Sequence, residues 1–300
     1  MSPAWSFLVA VATIAWAPRA SAQACCAGSS VVTPGRLGLH EVALVGVDAR
    51  ASALVGSFDP SGDSHGRAPG SVEDDFEEDL FGSLRVLRHG QVALLVPFVE
   101  TLRRAPGVTD AGGGIGDLNL SARWDFLYAG QSRYVPGIAL LAGVTFPTGR
   151  PVEPGTGPLG AGATGVGAFQ FNGGLSLEQS FGPWLVDLFG IVAARTPFSM
   201  DGVTDALSPQ FTGLASLAYV TASEIALALS ASLTYEGDPV INGTTVPDSE
   251  KLTPAVAAGF VFPIGDHWRF QTAASWNPPL LGKNTLATAG LTWTLVRSWF

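Results

Sequence analysis

The segment "GDLNLSARWDFLYAG", residues 116 to 130, sets Leu118, Leu120, Ala122, Trp124, Phe126 and Tyr128 on alternate positions, with Asp117, Asn119, Ser121, Arg123 and Asp125 between them. A strand points successive side chains to opposite faces, so such a segment has one apolar and one polar face. A soluble sheet carries this pattern with its apolar face inward. A membrane barrel carries it with the faces exchanged.

The pattern recurs along the chain. In "FQFNGGLSLEQSF" Phe169, Phe171, Leu175 and Leu177 oppose Gln170, Asn172, Ser176 and Glu178. In "EIALALSASLTYE" Ile225, Leu227, Leu229, Leu233 and Tyr235 oppose Ser230, Ser232, Thr234 and Glu236, and in "HWRFQTAASW" Trp268, Phe270 and Trp276 oppose Arg269, Gln271 and Ser275. These segments have period two and poor helical spacing. Together they predict about twelve strands, over 42–58, 74–87, 91–103, 116–128, 134–146, 167–180, 184–195, 209–220, 223–236, 252–263, 267–277 and 286–299.

The connections choose between the two kinds of sheet. Long Gly/Pro/Asp-rich linkers such as "DPSGDSHGRAPGSVE", "RAPGVTDAGGGIG" and "PTGRPVEPGTGPLGAGATG" alternate with short ones such as "RHG", "FGP" and "PIGD". An outer-membrane barrel needs this alternation, with short periplasmic turns and long extracellular loops. Tyr128, Tyr134, Phe181, Trp184, Tyr219, Trp268 and Trp299 lie near short turns or the C-terminus, and Phe58, Phe98, Phe146, Phe169, Tyr235 and Trp276 lie near long loops. Two aromatic girdles at the two headgroup levels are therefore expected. Charged residues make up 14% of the chain, against roughly 25% in soluble domains, and no apolar run reaches the ~18 residues of a spanning helix. The reading is an all-β, closed antiparallel transmembrane β-barrel, with its apolar parity in lipid and its polar parity in the lumen.

"WSFLVAVATIAWA" followed by "PRASAQA" predicts a signal peptide over residues 1–22, then a periplasmic N-terminal leader over 23–41 and the barrel over 42–300. The location implied is the cell outer membrane. Adjacent Cys25 and Cys26 close no useful loop, so no structural disulfide is expected; lipid attachment at Cys25 is an alternative to a quiet leader. The net charge of −9 argues against nucleic acid as a partner. Six carboxylates between positions 73 and 79 read as a solvated loop or strand end, with divalent-ion bridging to an anionic surface as the alternative.

Three motifs invite catalytic or cofactor readings. "GDSHG" (62 to 66) matches a nucleophile elbow, with His65 beside Ser64, but lacks the strand and helix that this chemistry requires. "GAGATG" (160 to 165) has dinucleotide-site glycines but is followed by an alternating strand where a helix N-terminus is needed. His40, His65, His89 and His267 show no metal-ligand spacing. No cofactor, metal or catalytic residue is expected, and an outer-membrane hydrolase is the least favoured function. The terminal "GLTWTLVRSWF" resembles the C-terminal assembly signal of outer-membrane barrels, which implies the barrel-assembly machinery as a partner alongside the lipid bilayer.

"GGGIGDLNLSARWDF" and "GIALLAGVTFPTGRP" resemble a block of the outer-membrane transporter family associated with the phenol-degradation pathway, itself distantly similar to long-chain fatty-acid channels. The matching features are the glycine turn and Asp-led strand at Gly112 to Asp117 and the Pro-Thr-Gly stretch at Pro147 to Gly149. The resemblance implies uptake of hydrophobic or aromatic compounds. Twelve strands about 4.8 Å apart and tilted near 40° enclose a backbone radius of roughly 12 Å. Arg85, Asp117, Asn119, Arg123, Asp125, Gln170, Asn172, Glu178, Asp187, Arg195, Arg269 and Gln271 are the pore-lining candidates. Passive or gated passage of a small-molecule solute is the expected function. A closed, scaffold-like barrel held by lumenal salt bridges is the alternative.

Overall fold

A computed structural model describes residues 35–152, 156–200 and 203–300. The predicted signal peptide, Cys25, Cys26 and the first part of the leader lie outside the described residues. Twelve long strands form the wall: β1 (Ala43–Phe58), β2 (Val72–Leu87), β3 (Gly90–Ala105), β4 (Leu118–Leu127), β5 (Gly137–Phe146), β6 (Gln170–Phe181), β7 (Trp184–Arg195), β8 (Gln210–Val220), β9 (Ala226–Glu236), β10 (Lys251–Ile264), β11 (Trp268–Trp276) and β12 (Thr285–Trp299). Each pairs antiparallel with the next, and β1 pairs with β12 from Ala43↔Trp299 to Phe58↔Thr285, which closes the ring. Closure leaves no edge, the condition for a sheet in hydrocarbon.

Register assigns the faces. Asp48 lies opposite Asp79 and Thr294, Arg123 opposite Gln91 and Leu141, and Glu178 opposite Gly137 and Asp187, and these polar residues turn inward. Their neighbours face out: Leu229 is 62% exposed and Leu175 53%. Exposed leucines, valines and aromatics continue around the wall, far beyond the apolar patches of soluble monomers. The wall is lipid-facing.

Trp124, Phe126, Tyr134, Phe181, Trp184, Tyr219, Trp268 and Trp299 are exposed toward the short-turn rim, and Phe98, Phe169, Phe171, Phe211, Tyr235 and Trp276 toward the long-loop rim. Phe58 departs from the expected outer girdle. It is buried beneath Gly282, whose Cα approaches so closely that a Cβ there would stand 2.3 Å from the ring.

One further expectation changes, and one alternative is resolved. The segment "RAPGVTDAGGGIG" is a tall hairpin rather than a loop, because Val108–Ile115 pairs back on Phe98–Ala105 across the Pro106-Gly107 turn. Gly107 has φ +84°, which a type II turn demands of its third residue. The acidic run 73 to 79 lies in the first half of β2, at a strand end rather than in a loop, with Asp74 to Asp79 paired on both sides and Glu73 on the β3 side. Strand alternation thus sends Glu73, Asp75, Glu77 and Asp79 to the lumen and Asp74 and Glu78 outward.

Leu229→Arg places a charge on the lipid face of β9. It should cost about 2–4 kcal/mol if the position is near the membrane midplane. Ser230→Ala on the lumen face should cost under about 1 kcal/mol. Denaturant titration of folding into lipid vesicles measures both.

Candidate functional site

The lumen is occupied at the short-turn end. Residues 35–41 fold into its mouth before β1 begins, with Arg36, Leu37, Gly38 and Glu41 buried and Leu39 and His40 exposed at a turn, and Leu37 packs with Leu44, Phe81 and Val296. The backbone of this segment is held at several points. The Leu37 N–H donates to Gln91 Oε1 at 3.1 Å, the Ser83 hydroxyl to the Gly35 carbonyl at 2.7 Å, and Arg85 to the Glu41 and Gly38 carbonyls at 3.0 and 2.5 Å. The Glu41 carboxylate takes the Gly38 N–H at 2.6 Å and pairs with Arg269 at 2.9 Å.

Arg36, 9% exposed, reaches across the lumen to form an ion pair with Glu178, itself 2% exposed. Arg123 binds the other Glu178 oxygen at 2.8 Å and Asp125 at 2.9 Å. The Ser176 hydroxyl lies 3.2 Å from Glu178 and 3.3 Å from buried Asp187. Desolvating these charges is expensive, and the cluster persists because each member has a partner or shares one. Arg123, Asp125, Glu178 and Asp187 thus come together as one belt around the N-terminal segment, which Arg85 and Arg269 clamp from below.

A second group lies higher. Arg195 donates to Gln170 at 2.9 Å and pairs with Glu236 at 3.1 Å, and Gln170 donates to Asn172 at 2.9 Å. Asn119 binds the Thr145 hydroxyl at 2.9 Å, and Gln271 is buried opposite Thr294. Asp117 departs from the expected lining role. It interrupts the strand between Ile115 and Leu118, and its carboxylate accepts the N–H groups of Gly149 at 2.9 Å and Val166 at 2.8 Å. It therefore ties together the two ends of the 147–169 loop. A Cβ on Gly165 would stand 2.3 Å from the Asp117 oxygen, so the close approach requires glycine.

The same loop lies against the inner face of the tall hairpin. Asp110 accepts the Leu159 and Ala161 N–H groups at 2.9 and 3.1 Å, while Arg103 donates to the Leu159 and Gly160 carbonyls at 2.9 and 3.1 Å. The block at Gly112 to Asp117 and Pro147 to Gly149 is therefore a docking joint. "GAGATG" is the part of the loop seated there. Between loop and wall is a cavity of about 530 Å³ lined by Arg50, Asp75, Glu77, Thr101, Arg103 and Thr164, among others.

Ser64 and His65 are consecutive in a short strand, Ser64–Gly66, which pairs back on β1. They point to opposite sides, and His65 turns to Asp59 at 3.0 Å. Among the described residues no group of three or more His, Cys, Asp or Glu side chains has metal-holding geometry.

The sequence reading omitted Arg36, Leu37 and Glu41 from the lumen, and also the inward acids of β2. Arg36 and Leu37 precede any alternating segment and carry no periodic signal. The β2 acids did carry one, since Asp75, Glu77 and Asp79 share the parity of Arg85.

No protein-family model matches the chain, and no curated protein sequence matches it. Solved structures do. An outer-membrane channel from Pseudomonas putida F1 superposes with a TM-score of 0.73 at 15% identity, covering 86% of this chain and 96% of the other. A deltaS2S3 mutant of the monoaromatic hydrocarbon channel TodX gives a TM-score of 0.50 at 8% identity, covering 91% and 94%. At these identities the likeness is one of fold: the chain has the closed-barrel architecture of outer-membrane channels.

Glu178→Ala removes the shared acceptor and leaves Arg36 and Arg123 without it in a buried site. It should destabilise the barrel by about 3–5 kcal/mol in denaturant titration and speed tryptic cleavage after Arg36. The Ala161 N–H, then the Leu159 N–H, hold the Asp110 carboxyl below its ordinary range. Because its folded value is depressed, the stabilisation of the docked loop is present above the unfolded value of about 3.9. It is lost as pH falls from there through the folded value. Protease protection of the 147–169 loop should persist through mild acid and fall only in that strongly acidic window.

Proposed function

We propose that this protein is an outer-membrane channel for passive, gated passage of small solutes, with residues 35–41 as the gate. The observation that carries this reading is the way the N-terminal segment is held. Residues 35–41 join no strand ladder and are fixed largely by side-chain contacts that can exchange for water, whereas from Val42 onward the chain is hydrogen-bonded into the wall through Trp299 and Arg85. Polar side chains run along the lumen from the Arg123 belt through Asn119, Gln170 and Arg195 to the cavity near the long loops. This path supports solute movement once the segment withdraws, and in this reading the candidates other than Asp117 line the passage.

Hydrophobic or aromatic solutes, the class implied by the sequence resemblance, are supported by one apolar stretch of the lumen, where Leu141, Phe189, Ile191 and Leu214 cluster on β5, β7 and β8. Recognition of the C-terminal strand by the barrel-assembly machinery belongs to the same reading. It is supported by the outward row Trp293, Leu295 and Trp299, with Phe300 exposed beyond it.

A closed structural barrel is the second reading, favoured by the buried Arg36, Glu178 and Arg123 cluster filling the short-turn end. Bilayer conductance and liposome swelling separate the two. A variant lacking residues 35–41 should conduct at least several-fold more than the intact chain and admit larger sugars. If folded wild type and variant are both impermeable, the structural reading holds.

A further inference from the structure

We propose that the lumen selects small organic cations, which it holds at an acidic row on β1 and β2. The inference rests on the channel reading for its role in passage, but the binding it describes is separate. On the inward face of these strands the register sets Asp48 opposite Asp79, Arg50 opposite Glu77 and Ser52 opposite Asp75. Four carboxylates therefore face one guanidinium, and Arg50 is committed to an ion pair with Glu77.

The flanking strands bring no compensation. On the β12 side, Asp48 and Arg50 meet Thr294 and Thr292, with the Thr294 hydroxyl donating to Asp48. On the β3 side, Asp79, Glu77 and Asp75 meet Pro97, Val99 and Thr101. The next cation upward, Arg103, is engaged by Glu73 at 3.2 Å and by two loop carbonyls.

Asp79 supplies an independent observation. It is 8% exposed, faces the lumen, and its Oδ1 has no hydrogen-bond partner. A buried carboxylate oxygen left without a donor is costly. The cost is recovered when a cation enters, because low-dielectric walls focus the field of the row along the lumen. The carboxylates are strung along two strands, and no metal-holding group forms among the described residues. The arrangement fits an ammonium or guanidinium head better than a coordinated metal ion.

Asp75 and Glu77 line the 530 Å³ cavity, so the row opens on a space that holds a small organic molecule. Half a turn around the twelve-strand ring, β7 and β8 present Phe189, Ile191 and Leu214. One side of the lumen carries negative charge and the other is lined by this buried apolar cluster. An organic cation with an apolar body has both halves of that match.

Isothermal titration of the full-length protein with benzyltrimethylammonium and, separately, benzenesulfonate tests the proposal. Folding is checked by heat-modifiability on a gel. The ammonium should bind at least about tenfold more tightly than the sulfonate, and Asp75→Asn/Asp79→Asn should remove the preference. Equal binding, no binding of either probe, or a preference unchanged in the variant overturns the proposal. If the double variant does not fold, Asp75→Asn, at the cavity end of the row, gives the same comparison. Reversal potentials across a KCl gradient should show a cation-selective pore, and a conducting pore without that selectivity also overturns it. A protein that binds the ammonium but never conducts refutes the channel reading and leaves the binding site standing.

Discussion

Hydrocarbon offers no partner to an N–H or C=O group, and the rest of this structure follows from that constraint. A sheet crossing a membrane must pair every backbone group with another strand, so β1 has to meet β12, and it does so over its length without an unpaired edge. Once the ring is closed, side-chain alternation decides everything else about the wall. One parity is given to lipid, and the other lines an enclosed space whose contents are set by packing and charge pairing.

That enclosed space is divided along its length. The short-turn end is filled by the N-terminal segment, the apolar cluster around Leu37 and the Arg36, Glu178 and Arg123 charges. The long-loop end is partly covered by the 147–169 loop, which Asp110 and Asp117 bind through its backbone N–H groups. Both obstructions are held by contacts from side chain to backbone or from side chain to side chain. Their stabilities can differ from that of the ladder-bonded wall, so they are the parts that can move without opening the barrel.

Between them the acidic row of β1 and β2 introduces an imbalance. Elsewhere in the lumen, inward charges answer one another, as Arg195 does Glu236 and Arg269 does Glu41. At Asp48, Asp75 and Asp79 they do not, although Asp48 and Asp79 are buried. Leaving charge uncompensated in one sector of a narrow lumen shapes its potential, and an asymmetric potential is a property of passages that discriminate among solutes.

How much of this was legible depended on whether the signal was local. Each of the twelve strands was readable within about three residues, because alternation is a property of consecutive side chains and needs no knowledge of neighbours. The tall hairpin was hidden because Gly112, Gly113 and Gly114 carry no side chains to alternate. Phe58 gave the signal of an aromatic near a loop, yet Gly282 covers it, a contact between residues far apart in the chain. Asp117 had the parity of a lining residue but stands where the strand is interrupted, so its carboxylate turns to a loop about thirty residues on. Arg36 lay before any pattern began. The sequence by itself determined the strands, their two faces and the apolar face's need for lipid, because those follow from the pleat and from hydrophobicity. Only the tertiary structure decided which segments enter the lumen and which charges pair there, because those depend on distances across the ring that no local spacing encodes.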